Sequence, residues 1–366
     1  GEDPKVMGRR RDLWLQCHSE KCVMRMLKGH YDQVAWETVP SSQAGFTPQR
    51  NAPEQSLTLR LMTEQSMMER TTLAKGYVDY TTFFMSCVNE IMWEVEKWSG
   101  VAPEVTEIMK ALREGLVDEH GKQKLEGLSG HYETEYGLAD KVPIRQGVGQ
   151  GDITSPARAK LMLGVIQKTI NKLCPGCPMR MDGRRLALLF FADDAILLTD
   201  SVHTLQLAFE CTWLVSRIMG LTMGVKGKKK TCWAATYWEN GVEKDVSGWE
   251  MTLPDGTVVP QLVSKNEKGE TVNEVYKYLG TEMRAGWADG HGQEETRAKV
   301  VRKCRQLIGL IGRAPLATQK QMSKAISLAI SGTLGYYCRS TALTWGDAVQ
   351  IEKARVAALN ARGFTE

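Results

Sequence analysis

The 366-residue sequence predicts an α+β fold in which short strands alternate with helices and then give way to helices alone. Three observations carry that expectation. Residues 75–80 and 186–199 are strongly apolar runs of strand length, bounded by polar residues. The stretches around and between them hold helical apolar spacing, as in Val88, Met92, Val95 and Trp98. Beyond Gly286 the period is purely helical, with Val301, Cys304, Ile308 and Ile311 on one face and Arg297, Arg302, Lys303 and Arg305 largely elsewhere. Changes of period and Gly/Pro punctuation divide the chain at about residues 70 and 286.

Composition bounds the class. With 42% hydrophobic and 25% charged residues the chain can build a real core, and its length allows two or three lobes. No run approaches the roughly 18 apolar residues of a membrane span, since Asp193 and Asp194 break the longest candidate, so no membrane partner is expected. Nine cysteines, an odd number spread from Cys17 to Cys338, do not make a disulfide framework and point to a reducing, intracellular compartment. The start at Gly1, with Arg9, Arg10 and Arg11 but no apolar signal core, reads as a piece of a longer polypeptide. Net charge is +4, yet residues 291–366 alone hold 12 Lys/Arg against 5 Asp/Glu, a local field that attracts a polyanion.

The elements follow in order. After a basic start and a loop at 43–48, residues 57–68 carry helical spacing. A buried strand then ends in Asp79, and a helix from about Val88 follows. Ser155 and Pro156 offer an N-cap and a first-turn proline for a helix reaching about Leu173. Residues 186–191 and 195–199 form a hairpin whose tip is Ala192-Asp193-Asp194. Asp200 or Ser201 caps the next helix and Gly220 stops it. Asn240-Gly241 and Asp255-Gly256 are turn signals in a further set of strands that leads to Tyr278-Leu279-Gly280.

The chemistry concentrates at the aspartates. Two carboxylates beside buried strands are costly to keep ionised unless a cation or donors compensate them. Two divalent ions would do so and would also clamp the oxygens of a phosphoryl transfer, with Asp79 the natural third carboxylate. An Asp-Asp pair taken alone is more often just a solvated turn. Cys174-Pro175-Gly176-Cys177, and Cys17, His18 and Cys22, lack the remaining ligands of a zinc site, so no structural zinc is expected. The Trp and Met residues read as core.

The order of these pieces resembles the reverse transcriptases of non-LTR (LINE-type) retrotransposons and, more distantly, those of group II introns. Phe191-Ala192-Asp193-Asp194 is similar to that family's catalytic turn, and Tyr77-Val78-Asp79-Tyr80 with Phe83-Phe84 to its first catalytic strand. Residues 147–156, Gly-Val-Gly-Gln-Gly-Asp-Ile-Thr-Ser-Pro, resemble its nucleotide and template loop. Gln43-Ala44-Gly45-Phe46 matches a fingers motif, Gly220-Leu221 with Lys228, Lys229, Lys230 and Thr231 a segment after the catalytic turn, and Tyr278-Leu279-Gly280 the primer grip. Met85 stands where the family usually has a second Asp, Gly149 where it has Arg and Ile153 where it has Pro.

The resemblance implies a right-hand polymerase fold: fingers in 1–70, a palm with interleaved fingers segments in 71–286, and a helical thumb in 287–366. It implies an RNA-directed DNA polymerase that extends a primer 3′-hydroxyl with dNTPs on an RNA template, with a DNA primer or nicked target DNA as partner and a nuclear address. Asp79, Asp193 and Asp194 are the implied catalytic residues and ligands of two Mg²⁺ ions, with Mn²⁺ as substitute. Phe84 would exclude a 2′-hydroxyl, although core packing is its ordinary role. Gln150 and Gly151 would contact nucleotide or template. Lys230, and less definitely one of Arg9, Arg10 and Arg11, would face the triphosphate, although a solvated basic turn also accounts for Lys230. Tyr278, Leu279 and Gly280 would hold the primer, and Arg297, Arg302 and Arg305 the nucleic-acid backbone. Two rivals share the fold, a decayed or maturase-like RNA-binding protein and an RNA-dependent RNA polymerase.

Overall fold

The centre of the molecule is an antiparallel sheet of β1 (Leu73–Val78), β2 (Leu188–Phe191), β3 (Asp194–Thr199), β4 (Cys232–Glu239) and β5 (Val242–Asp245), in the order β2-β3-β1-β4-β5. The computed structural model describes residues 18–364 apart from 118–119, 121, 128, 131–132, 135–136, 139, 141, 144–145, 150, 179–182, 226–229, 265–273, 275, 284, 286–293, 315–317, 339–340 and 342. β1 is buried along its whole length because both faces of the sheet are covered. That is why its sequence is nearly continuous in apolar residues instead of alternating.

Side-chain alternation splits the core in two. Ala74 and Val78 of β1, with Leu197 of β3 and Ala235 of β4, face a large cluster built with α1 (His18–Thr38), α4 (Asn89–Ser99), α6 (Ser155–Leu173) and α7 (Val202–Ile218). Gly76 lies on this face, where a Cβ would come within 2.7 Å of the Phe209 ring of α7. Leu73 and Tyr77, with Ile196 and Leu198, face a second cluster containing Leu59 and Met62 of α2 (Ala52–Glu69). It also contains Tyr276 and Tyr278 of a hairpin formed by β6 (Tyr276–Tyr278) and β7 (Thr281–Met283). A third cluster holds α8 (Glu294–Gly312), α9 (Gln319–Tyr337) and α10 (Trp345–Asn360) together through Val301, Cys304, Ile308, Met322, Ile326 and Ile351. Val301, Cys304 and Ile308 are buried as their spacing predicts.

Local signals account for most boundaries. Asn51 accepts from the Glu54 amide to start α2, and Pro53 sits in its first turn. Ser201 accepts from the Thr204 amide at 3.1 Å to start α7, and Gly220 follows that helix at φ +76°. Asn240 and Gly241, both at positive φ, turn β4 into β5. Two expectations are corrected. Thr154 is the N-cap of α6, without a side-chain bond, and Ser155 is already helical. Trp98 is 60% exposed, with the Lys168 ammonium 4.4 Å from its ring centre, so it covers surface and not core. Among the described residues no helix is long and apolar enough to cross a membrane.

Candidate active site

Val78 pairs with Ala195 across β1 and β3, and continuing that antiparallel register by one pair sets Asp79 opposite Asp194. Both lie on the sheet face that carries Tyr77 and Ile196, because alternate residues share a face. Directly opposite residues hold their Cβ atoms about 4.5–5.5 Å apart, and like charges so placed destabilise a sheet unless compensated. Asp193 stands beside this pair in the Ala192-Asp193 turn of the β2–β3 hairpin. Residues 79 and 193–194, far apart in sequence, therefore share one end of the two central strands.

A cation compensates Asp79. Lys230 Nζ lies 2.7 Å from Asp79 Oδ2, with both side chains partly exposed. The segment that delivers it is stitched to Asp79 by backbone bonds. The Asp79 amide donates to Thr231 Oγ1 at 3.1 Å, the Gly224 amide donates to the Asp79 carbonyl at 2.8 Å, and the Thr231 amide donates to the Gly224 carbonyl at 2.8 Å. A Cβ on Gly224 would stand 2.9 Å from Asp79 Oδ2, so glycine is what admits this approach. Lys228 and Lys229, like Gln150 and Arg9, Arg10 and Arg11, lie outside the described residues.

The β6–β7 hairpin walls the site. Tyr276 stacks on Tyr77 with ring centres 4.3 Å apart. Burial pushes the Tyr276 hydroxyl far up from its ordinary pKa, and the carboxylate of Asp194, then Cys232, Asp79 and Asp193, push it the same way. One phenol thus feels all three aspartates. Tyr278 is likewise raised by burial and then by Asp194. Leu279 and Gly280 form the tight turn, at φ +48° and +80°, and Tyr336 of α9 donates to the Leu279 carbonyl at 3.1 Å. The hairpin that resembles a primer grip is thereby tied to the helical C-terminal cluster.

Phe84 lies in α3 (Phe83–Ser86), half-buried, in edge-to-face contact with Phe83 at 5.3 Å and Phe46 at 6.4 Å. The Gly-rich loop docks on its backbone: the Val148 amide donates to the Phe84 carbonyl at 2.7 Å and the Gly147 amide to the Cys87 carbonyl at 2.7 Å. Asp152, 3% exposed, anchors the far end of the loop by accepting from the Thr154 amide at 2.8 Å and from Arg113 at 3.0 Å. Arg113 also donates to the Gly147 carbonyl at 2.6 Å. Gly151 is exposed at φ +108°, a conformation that excludes most side chains. Sequence reading missed Arg113, and missed the neighbouring buried pair of Arg158 with Glu96 at 2.6 Å. No local pattern in the sequence distinguishes these residues from surface charges.

Arg302 and Arg305 of α8 are exposed along an open cleft of about 1430 Å³ between α8 and α10, where Arg313 also lies. Arg297 lines the same cleft but is engaged, donating to Asp347 at 2.9 Å and to Thr344 Oγ1 at 3.2 Å, where those residues cap α10. Its side chain fastens two helices together, so Arg302 and Arg305 are the ones that face outward.

Three carboxylates on adjoining strand ends are the hard oxygen donors Mg²⁺ takes. Among the described residues, however, no three His, Cys, Asp or Glu side chains converge closely enough to hold an ion, and Asp79 is turned to Lys230. The residues fit the metal in donor type and backbone placement, whereas the Asp79 side chain is neutralised by Lys230.

No protein-family profile matches the chain, and no curated protein matches it. Telomerases are among the solved structures it is similar to. It is similar to apo telomerase from Candida tropicalis, with a TM-score of 0.47 and 12% identity over 94% of this chain and 50% of that one. Telomerase from Candida tropicalis in complex with the TWJ fragment of telomeric RNA gives 0.41 and 10% over 94% and 54%. The corresponding complex from Candida albicans gives 0.38 and 9% over the same shares, 94% and 54%. The chain spans about half the length of these proteins. Likeness this distant leaves the function to the residues themselves.

Proposed function

We propose that the chain is the polymerase core of an RNA-directed DNA polymerase of the non-LTR (LINE-type) retrotransposon kind, extending a primer 3′-hydroxyl with dNTPs on an RNA template. The observation that supports it is the β1–β3 register, whose continuation past Val78 and Ala195 would set Asp79 opposite Asp194, with Asp193 in the adjoining turn and Lys230 against Asp79. A solvated turn gives no reason for a third carboxylate on a buried strand 114 residues earlier.

Each element then has a part. Asp79, Asp193 and Asp194 are the residues that would hold two Mg²⁺ ions, or Mn²⁺ in their place. Such ions supply activation of the attacking hydroxyl and stabilisation of the leaving oxygen. With an ion held by Asp79, Lys230 would be free to turn its positive charge and proton to the triphosphate. The Phe84 ring closes the space a 2′-hydroxyl needs. The Val148 amide donates to the Phe84 carbonyl and the Gly147 amide to that of Cys87, so the template loop is docked on the sugar gate. The hairpin of Tyr278, Leu279 and Gly280 holds the primer end beside the carboxylates, while Arg302 and Arg305 meet phosphates of the template and primer. A nuclear address goes with this reading.

Primer extension on an RNA template, with dNTPs and rNTPs supplied separately, tests it. Extension with dNTPs is expected. Extension with rNTPs alone would make the protein an RNA polymerase, and binding without extension would make it an RNA-binding protein of the same fold, the reading to which Met85, Gly149 and Ile153 lend weight.

A further inference from the structure

We propose that Gln43 is a positioning residue that fixes the direction in which Asp193 leaves the backbone. The clamp is a matter of geometry alone, whereas its catalytic consequence rests on the polymerase reading. Phe191 and Asp194 pair directly, so Ala192 and Asp193 form a two-residue turn. Ala192 stands at φ +54°. Turns of this kind favour asparagine or glycine, because a Cβ crowds the backbone there. Alanine brings neither glycine's freedom nor a side chain that bonds to its own backbone, so the conformation has to be imposed from outside.

Gln43 imposes it. Its side chain, 1% exposed, brackets Ala192: the Ala192 amide donates to Gln43 Oε1 at 3.0 Å, and Gln43 Nε2 donates to the Ala192 carbonyl at 3.2 Å. The Gly45 amide donates to the same Oε1 at 2.8 Å. Two N–H donors on Oε1 and a carbonyl before Nε2 fix which way round the amide lies, because the flipped amide would oppose donor to donor. The bracket holds the peptide planes on both sides of Ala192. The second of these planes contains the nitrogen of Asp193, so it sets the origin from which that carboxylate projects.

The clamp is itself anchored. The Ala44 amide donates to the Phe190 carbonyl at 2.9 Å and the Phe190 amide to the Ser42 carbonyl at 3.0 Å, laying residues 42–44 along the outer edge of β2. Arg50 donates to the Gln43 carbonyl at 3.0 Å. Gly45 passes so close to the turn that a Cβ there would stand 2.0 Å from the Ala192 nitrogen. A neutral amide supplies donor and acceptor together without adding charge beside Asp193 and Asp194.

The test compares wild type, Gln43→Met and Gln43→Glu by three measurements: hydrogen exchange over residues 190–195, affinity for primer–template, and single-turnover addition of the first dNTP by bound complex. Methionine keeps the length and removes all three bonds. It should speed exchange in the turn, leave exchange in β1 and β4 and the affinity unchanged, and slow first addition by up to about 10²-fold, the cost of an ångström-scale misplacement. Glutamate should be rescued as pH falls, its rate relative to wild type rising because a protonated carboxyl again donates and accepts. Turn exchange in Gln43→Met equal to wild type would overturn the clamp. A rate lowered only in proportion to the fraction folded, or a Gln43→Glu ratio flat with pH, would overturn the positioning role. Should wild type fail to extend any primer while Gln43→Met still loosens the turn, the clamp stands and the polymerase reading falls.

Discussion

Lys75 sits in the central strand β1 and is 3% exposed. Burial lowers its pKa from 10.5 to about 8, against the opposing pull of Glu243 and Asp245. Between those values the unfolded chain holds a proton the folded one lacks, so stability rises with pH across that window and the cost is complete below about pH 8. Lys75→Met should therefore stabilise the fold at pH 7 by up to roughly 3 kcal/mol, with the gain closing as pH approaches 10.5; urea unfolding at several pH values reads this directly. Phe84 yields a second prediction at this scale. Phe84→Val should raise rNTP use relative to dNTP by an amount equivalent to about 1–3 kcal/mol, measured as the ratio of kcat/KM for the two nucleotides. Unchanged discrimination would make Phe84 a packing residue, held as it is between Phe83 and Phe46. That Asp79, Asp193 and Asp194 stand at neighbouring strand ends was legible from the apolar runs and the motif resemblance together. Gln43 and Arg113 were not, since the sequence shows a residue type and not which backbone groups it will meet.

Elements were legible in proportion to their periodicity. β1 and the hairpin strands stand out as apolar runs, and α8 shows its buried face at helical spacing. Boundaries depended on single caps, and Thr154 displaced Ser155 by one residue where no side-chain bond decided the start. Short strand pairs such as Gly115–Val117 with Gln123–Glu126 carry too little pattern to read. The charge of α8 was legible in sum but not in detail, because Arg297 is spent on Asp347. Arg302→Gln with Arg305→Gln should weaken primer–template binding alike for all sequences. It should also flatten log affinity against log salt by roughly 0.7–0.9 for each phosphate that is no longer neutralised. Filter binding across a salt series measures both. Arg297→Gln should instead lower the thermal stability of the C-terminal helices.

On the scale of the molecule, three clusters meet around one end of the sheet. The helical face supports β1 from behind, the β6–β7 hairpin covers the carboxylate side, and the C-terminal helices reach that hairpin through Tyr336 and Leu279. On the proposed reading, such an arrangement would let nucleic acid bound by the C-terminal helices be felt beside Asp79 and Asp194 without any of those helices supplying a catalytic group. The central claim is that the strand-end aspartates perform nucleotidyl transfer. The most direct measurement is dNTP addition to an RNA-templated primer by wild type and by Asp193→Asn, with circular dichroism and primer–template affinity followed on the same samples. The account predicts extension by wild type and none by Asp193→Asn, with folding and affinity preserved, because the substitution removes charge without changing volume. Extension by Asp193→Asn at the wild-type rate would contradict it.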